Sequence, residues 1–102
     1  MTPTRVIRWT EGATSELAAI AEYISVSSPV YAEQTVERLV RRVEQAREFP
    51  ESGRLVPEIG RHDIREFVES PYRVMYLVRA DAVVVLAVIH GRRDVRPVGS
   101  GP

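Results

Sequence analysis

In the stretch VLAVIHGRRD (residues 85–94) an apolar run passes without a break into His90, Gly91 and the adjacent Arg92 and Arg93. These residue types carry definite chemistry. An imidazole titrates near neutral pH and can act as general base or acid. A guanidinium presents a planar fork of donors that matches phosphate or carboxylate oxygens and stays charged when partly buried. Metal-independent RNA cleavage needs a base for the 2′-hydroxyl, donors for the charge on the phosphorane, and an acid for the leaving oxygen. Arginine supplies only the donors. His90 is the one residue here able to complete such a site, and its plainer reading is a histidine ending a strand, bonded to nearby backbone or to Asp94. His62 reads as a solvated loop residue. Two histidines so far apart, in a chain without cysteine, predict no metal site and no cofactor. Gly53 and Gly91 read as turn or strand-exit residues, not as a phosphate loop.

Such residues need a scaffold, and 102 residues suffice for one domain with a single core. We place that domain over residues 1–96, with PVGSGP (residues 97–102) as a loose tail. The absence of cysteine excludes a disulfide scaffold and a thiol nucleophile and fits a reducing cytoplasm. The longest apolar run, residues 82–89, is far short of the ~20 residues of a membrane span, and the N-terminus lacks the apolar core of a signal peptide. A formal net charge of zero argues against a generally cationic nucleic-acid binder, so any basic site is local. All fourteen Lys and Arg positions are arginine, so no lysine serves as a base.

TRVIRW (residues 4–9) reads as a short strand at or next to a sheet edge. Thr10 offers an N-cap, and Ala13, Leu17, Ile20 and Ile24 share one face of a helix ending near Ser27. Ser28 and Pro29 start a second helix, with Ala32, Val36, Leu39, Val43 and Ala46 as its seam. The two helices form an antiparallel hairpin. Pro50 and Gly53 then open a loop that runs through Gly60. From Asp63 the period becomes two, giving strands in DIREFVE, YRVMYLVR and AVVVLAVIH. The last is apolar on both faces and belongs inside the sheet. Tyr72, Val74, Tyr76 and Val78 share one face of the middle strand, and Arg73 and Met75 the other. The fold class is α+β: an N-terminal strand, an α-helical hairpin and a three-stranded antiparallel meander. The helices cover one sheet face, and Arg73 lies on the other, where it pairs with Glu66 or Glu69 unless it serves a site.

This order, with GRLVPE (residues 53–58), IREF (64–67), YRVMYLV (72–78) and VIHGRRD (88–94), resembles the RelE/ParE superfamily of bacterial type II toxins, closer to ParE. The resemblance covers nearly the whole chain. It implies a cytoplasmic growth-arresting toxin neutralised by a cognate antitoxin in a heterotetramer or larger complex, with no membrane and no cofactor. ParE-like members poison DNA gyrase and are linked to plasmid stabilisation; RelE-like members cut mRNA on the ribosome. On the RelE-like pattern Arg73 and Arg93 match catalytic arginines, and His90 would stand in as base or acid. The pattern's lysines are missing at Ile64, Arg65 and Glu66, and its tail aromatic is missing around Pro97, Val98 and Gly99. The expectation is therefore a ParE-like gyrase poison, with Arg65, Arg92, Arg93 and Arg96 as target or antitoxin contacts. The alternative is an mRNA endonuclease using Arg73, His90 and Arg93. An unrelated binding module and a structural homodimer are the two readings outside the superfamily.

Overall fold

The computed structural model describes residues 5–91. Strand β1 (Val6–Trp9) leads into helix α1 (Glu11–Ser25) and helix α2 (Pro29–Glu48). A single 3-10 turn (Pro50–Ser52) precedes β2 (Arg54–Leu55), and β3 (Ile64–Glu69), β4 (Tyr72–Val78) and β5 (Ala82–His90) complete the fold. The sheet runs β1-β5-β4-β3-β2, with β1 parallel to β5 and every other neighbour antiparallel. The α+β class, the helical hairpin and the meander match the reading from sequence. The loop expected through Gly60 instead contains β2, a fifth strand too short to show any period. The first helix stops two residues early, at Ser25, because the amides of Ser27 and Ser28 both turn back to the Ile24 carbonyl.

Both helices start where their caps lie. The Thr10 hydroxyl accepts from the Ala13 amide at 3.1 Å and donates to the Leu86 carbonyl at 3.3 Å, so one side chain caps α1 and satisfies β5. Thr10→Ala should therefore cost about 1–2 kcal/mol, read as a shifted urea midpoint with unchanged slope. The Ser28 hydroxyl accepts from the Tyr31 amide ahead of Pro29, whose missing N–H is not needed in the first turn.

The main core lies between the hairpin and one sheet face, with Leu39, Val43 and Ala46 of α2 against Val74, Tyr76, Val83, Val85 and Val88. Burying each of the larger aliphatic side chains contributes roughly 1.5–3 kcal/mol. Thr35 takes the buried seam position expected for Val36, which is only partly covered. The Thr35 hydroxyl donates to the Tyr31 carbonyl at 2.8 Å and so enters the core satisfied. Strand β5 also departs from strict alternation. Met75 stands opposite Ala87 and Tyr76 opposite Val85, so Leu86 is bulged out of register. Val83, Val85 and then Val88 consequently all meet the helices. Beyond the end of β1, the Val88 amide on β5 is taken by the Glu16 carboxylate of α1 at 3.0 Å. The other sheet face holds a smaller cluster of Val56, Ile64, Met75 and Ile89, beside which Arg73 begins the polar region.

Candidate functional site

Arg73 is where the sequence and the structure say most about each other. Its alternation in β4 points it away from the helices, and its Cα lies opposite Val68 of β3 and Ile89 of β5. The residue is 7% exposed. A charge so enclosed must be met by protein. Its Nε donates to Glu66 Oε1 at 2.7 Å, while Nη1 and Nη2 reach Glu58 at 3.0 and 3.1 Å in a two-pronged contact. Glu66 is fully buried, and its second oxygen accepts from Arg54 Nε at 2.7 Å. One buried carboxylate thus joins two guanidiniums, and a loop carboxylate closes the network. All three nitrogens of Arg73 are engaged. The pairing with Glu66 expected across the hairpin is present, whereas Glu69 turns to α2, meeting Arg42 at 3.0 Å and Arg38 at 3.7 Å.

The electrostatics follow the contacts. The bond to Glu58, then that to Glu66, holds the Arg73 guanidinium above its ordinary range against the opposing effect of burial. The Arg73 hydrogen bond holds the Glu58 carboxyl below its usual range. A carboxyl lowered by folding stabilises the fold above its unfolded value and loses that contribution as pH falls below it. Acidification below about pH 4.5 should therefore reduce the melting temperature of the wild type more than that of Glu58→Gln. At pH 7 the substitution should cost under about 1 kcal/mol, because the Glu58 side chain is one-third exposed.

The other residues singled out from sequence lie elsewhere. His90 is exposed at the end of β5, directly opposite Tyr72, whose ring it meets edge-on with centroids 6.0 Å apart. It borders a depression of about 300 Å³ together with Glu16, Ile20 and Tyr23 of α1, on the helix-bearing side of the sheet. Arg73 borders a different one, of about 450 Å³, with Arg54, Glu58 and Gly91 on the far side. The two residues of the expected catalytic set that are described thus face opposite sides of the sheet. Arg65 is half-buried and donates to the Gly53 carbonyl at 2.9 Å, tying β3 to the start of β2. Arg92, Arg93 and Arg96, the domain end at 96 and the tail 97–102 lie outside the described residues. Among the described residues no group of three or more His, Cys, Asp or Glu side chains is placed to hold a metal.

Glu58, Arg54 and Tyr76 carry roles that the sequence did not announce. The Tyr76 hydroxyl donates to the Pro50 carbonyl at 2.8 Å and accepts from the Gly53 amide at 2.9 Å, so a strand tyrosine pins the loop from which Arg54 projects. Gly53 has an extended backbone, φ −81°, so its small size matters here rather than conformational freedom. A Cβ there would collide with the Tyr76 hydroxyl and lie 2.6 Å from the Glu66 carbonyl oxygen. The available signal was the spacing GRLVPE, which puts an arginine and a glutamate within one short loop beside two charged strand residues.

A hairpin of helices on one face of a sheet ordered in this way is the architecture that the resemblance to the RelE/ParE superfamily implies. The model of the family described as "ParE toxin of type II toxin-antitoxin system, parDE" matches residues 7–95. A toxin from Caulobacter vibrioides, RelE2, is 33% identical over 85 residues, spanning 83% of this chain and 93% of the relative. A solved chain titled "Chromosomal ParDE TA system from P. aeruginosa" superposes with a TM-score of 0.70 at 21% identity, covering 85% of this chain and 96% of the other. The chain belongs to the ParE toxin family of type II toxin–antitoxin systems. A cognate antitoxin is the partner this family implies. No helix among the described residues is long and apolar enough to cross a membrane.

Proposed function

We propose that the protein arrests bacterial growth by binding and poisoning DNA gyrase, and that its antitoxin neutralises it in a cytoplasmic complex of heterotetrameric or larger size. The observation that carries this reading is the enclosure of Arg73 by Glu58 and Glu66. A guanidinium that stabilises a phosphorane must have donors aimed at the reacting phosphate, and here Nε and both Nη atoms are each turned to a carboxylate. His90, the one candidate base or acid, lies on the other side of the sheet. The arrangement suits a surface that binds its target over one that hydrolyses it. Arg65, Arg92, Arg93 and Arg96 are proposed as contacts to target or antitoxin.

The second reading is ribosome-dependent mRNA cleavage by Arg73, His90 and Arg93. It is favoured by the position of Arg73 in the YRVMYLV strand and by the relative's name, RelE2. His90→Gln separates the two. If the protein poisons gyrase, a folded His90→Gln variant induced without antitoxin arrests growth like the wild type. Loss of arrest, together with loss of transcript cleavage, would replace the first reading with the second.

A further inference from the structure

Strand β1 ends at Trp9, opposite Val85, but β5 runs on to His90. On one side β4 pairs with that extension, and on the other no strand lies beside it among the described residues. Residues 86–90 hold no proline and no Asp, Glu, Lys or Arg, the features that usually blunt an open edge. The far edge of the sheet is managed differently, since β2 is two residues long and carries Arg54. A bare apolar edge is a template for a further strand. Here side chains next to and on α1 supply what β1 leaves unmade. The Thr10 hydroxyl donates to the Leu86 carbonyl, and Glu16 Oε1 accepts from the Val88 amide at 3.0 Å. Glu16 is half-buried and lies with Ile20, Tyr23 and His90 in the depression of about 300 Å³ beside this edge.

We propose that the outer edge of β5 is complementary to the same edge of a second copy of this chain, and that Glu16 keeps the two from pairing. A two-fold axis at Val88 sets that residue against its own counterpart, the pair exchanging both N–H···O bonds, with Leu86 opposite His90 of the second copy. The Val88 amide is the donor such a pair needs, and Glu16 holds it. The same axis brings the two Glu16 carboxylates towards one junction, where like charges repel. The glutamate thus closes the edge twice, as a competing acceptor and as a like charge. A neutral acceptor would do only the first. This inference concerns the free toxin and does not depend on which target it poisons.

The test is sedimentation of the purified toxin, without antitoxin, over a range of concentrations for wild type, Glu16→Ala, Glu16→Gln and Glu22→Ala. Freeing a strand amide from a charged acceptor on both sides of a two-fold contact predicts self-association about tenfold or more stronger for Glu16→Ala. Glu16→Gln keeps an acceptor for the Val88 amide and should stay closer to wild type. Glu22 is exposed and lines the groove between the two helices, so Glu22→Ala controls for lost charge on α1 and should match wild type. Hydrogen exchange locates the contact: in Glu16→Ala the Val88 amide should exchange freely when dilute and become protected as the dimer forms. Where circular dichroism shows Glu16→Ala unfolded, Glu16→Leu replaces it, keeping the aliphatic body without the acceptor. A folded variant of either kind that stays as monomeric as wild type, or that associates while the Val88 amide still exchanges, overturns the proposal. Tighter binding of the antitoxin by Glu16→Ala without self-association would assign the edge to an extended antitoxin segment and equally overturn it.

Discussion

Glu66→Gln should lower folding stability by about 3–5 kcal/mol, an unusually large effect for a nearly isosteric change. Glu66 is fully buried and, among the described residues, is the one side chain hydrogen-bonded to both Arg54 and Arg73. Removing its charge leaves the Arg73 guanidinium enclosed, with half its compensation on a loop carboxylate. Arg54 suffers less, since its side chain is 62% exposed and can turn to water. Arg73→Met should be comparably damaging because it strands the buried Glu66. The double change Glu66→Leu/Arg73→Met should recover most of the loss, since neither charge then remains to be solvated by protein. Urea unfolding of the wild type, Glu66→Leu, Arg73→Met and the double variant forms a double-mutant cycle. A Glu66→Gln variant within about 1 kcal/mol of wild type would show that the network does not hold the open face of the sheet together.

Gly53→Ala should cost about 3 kcal/mol for a single added methyl group. Its Cβ has no room between the Tyr76 hydroxyl and the Glu66 carbonyl, and both neighbours are fixed, one by two hydrogen bonds and the other by the β3 backbone. Relief requires the loop to move outward, which breaks the Gly53 amide bond to Tyr76 and the Arg65 contact to the Gly53 carbonyl. Tyr76→Phe should remove part of the clash while stranding the Pro50 carbonyl and the Gly53 amide. Gly53→Ala/Tyr76→Phe should therefore lose less than the two single changes added together. Strict additivity would contradict the close approach on which the prediction rests.

The helical hairpin was legible in the sequence because its signals are local. Thr10, Ser28 and Pro29 mark helix starts by their own side chains, and the stripes of α1 and α2 repeat within a few turns. The β-meander was legible because Tyr72 to Val78 alternate cleanly. What escaped depends on partners distant in sequence. Glu66 looks like an outward strand residue until Arg54 and Glu58 are folded over it. β2 is two residues long and exists only because β3 offers an edge and Tyr76 pins its approach. The Leu86 bulge is marked by no glycine or proline; it is stabilised by the Thr10 hydroxyl at its carbonyl and by Glu16 two residues on. Val36 and Thr35 exchanged places because a threonine that bonds back along its own helix behaves as a small apolar residue. Of the candidate site, the positions of Arg73 and His90 in β4 and β5 could be read from the sequence. Their separation by the sheet could not, because counting in twos from Val83 assigns the wrong face to His90 once the bulge is crossed.

The most direct measurement is gyrase-catalysed supercoiling of relaxed plasmid in the presence of purified toxin, repeated after addition of the antitoxin. A gyrase poison gives loss of supercoiling or accumulation of cleaved plasmid, reversed by the antitoxin, and that is the expected result. Undisturbed supercoiling with folded toxin that still arrests growth, accompanied by cutting of mRNA on the ribosome, would contradict it.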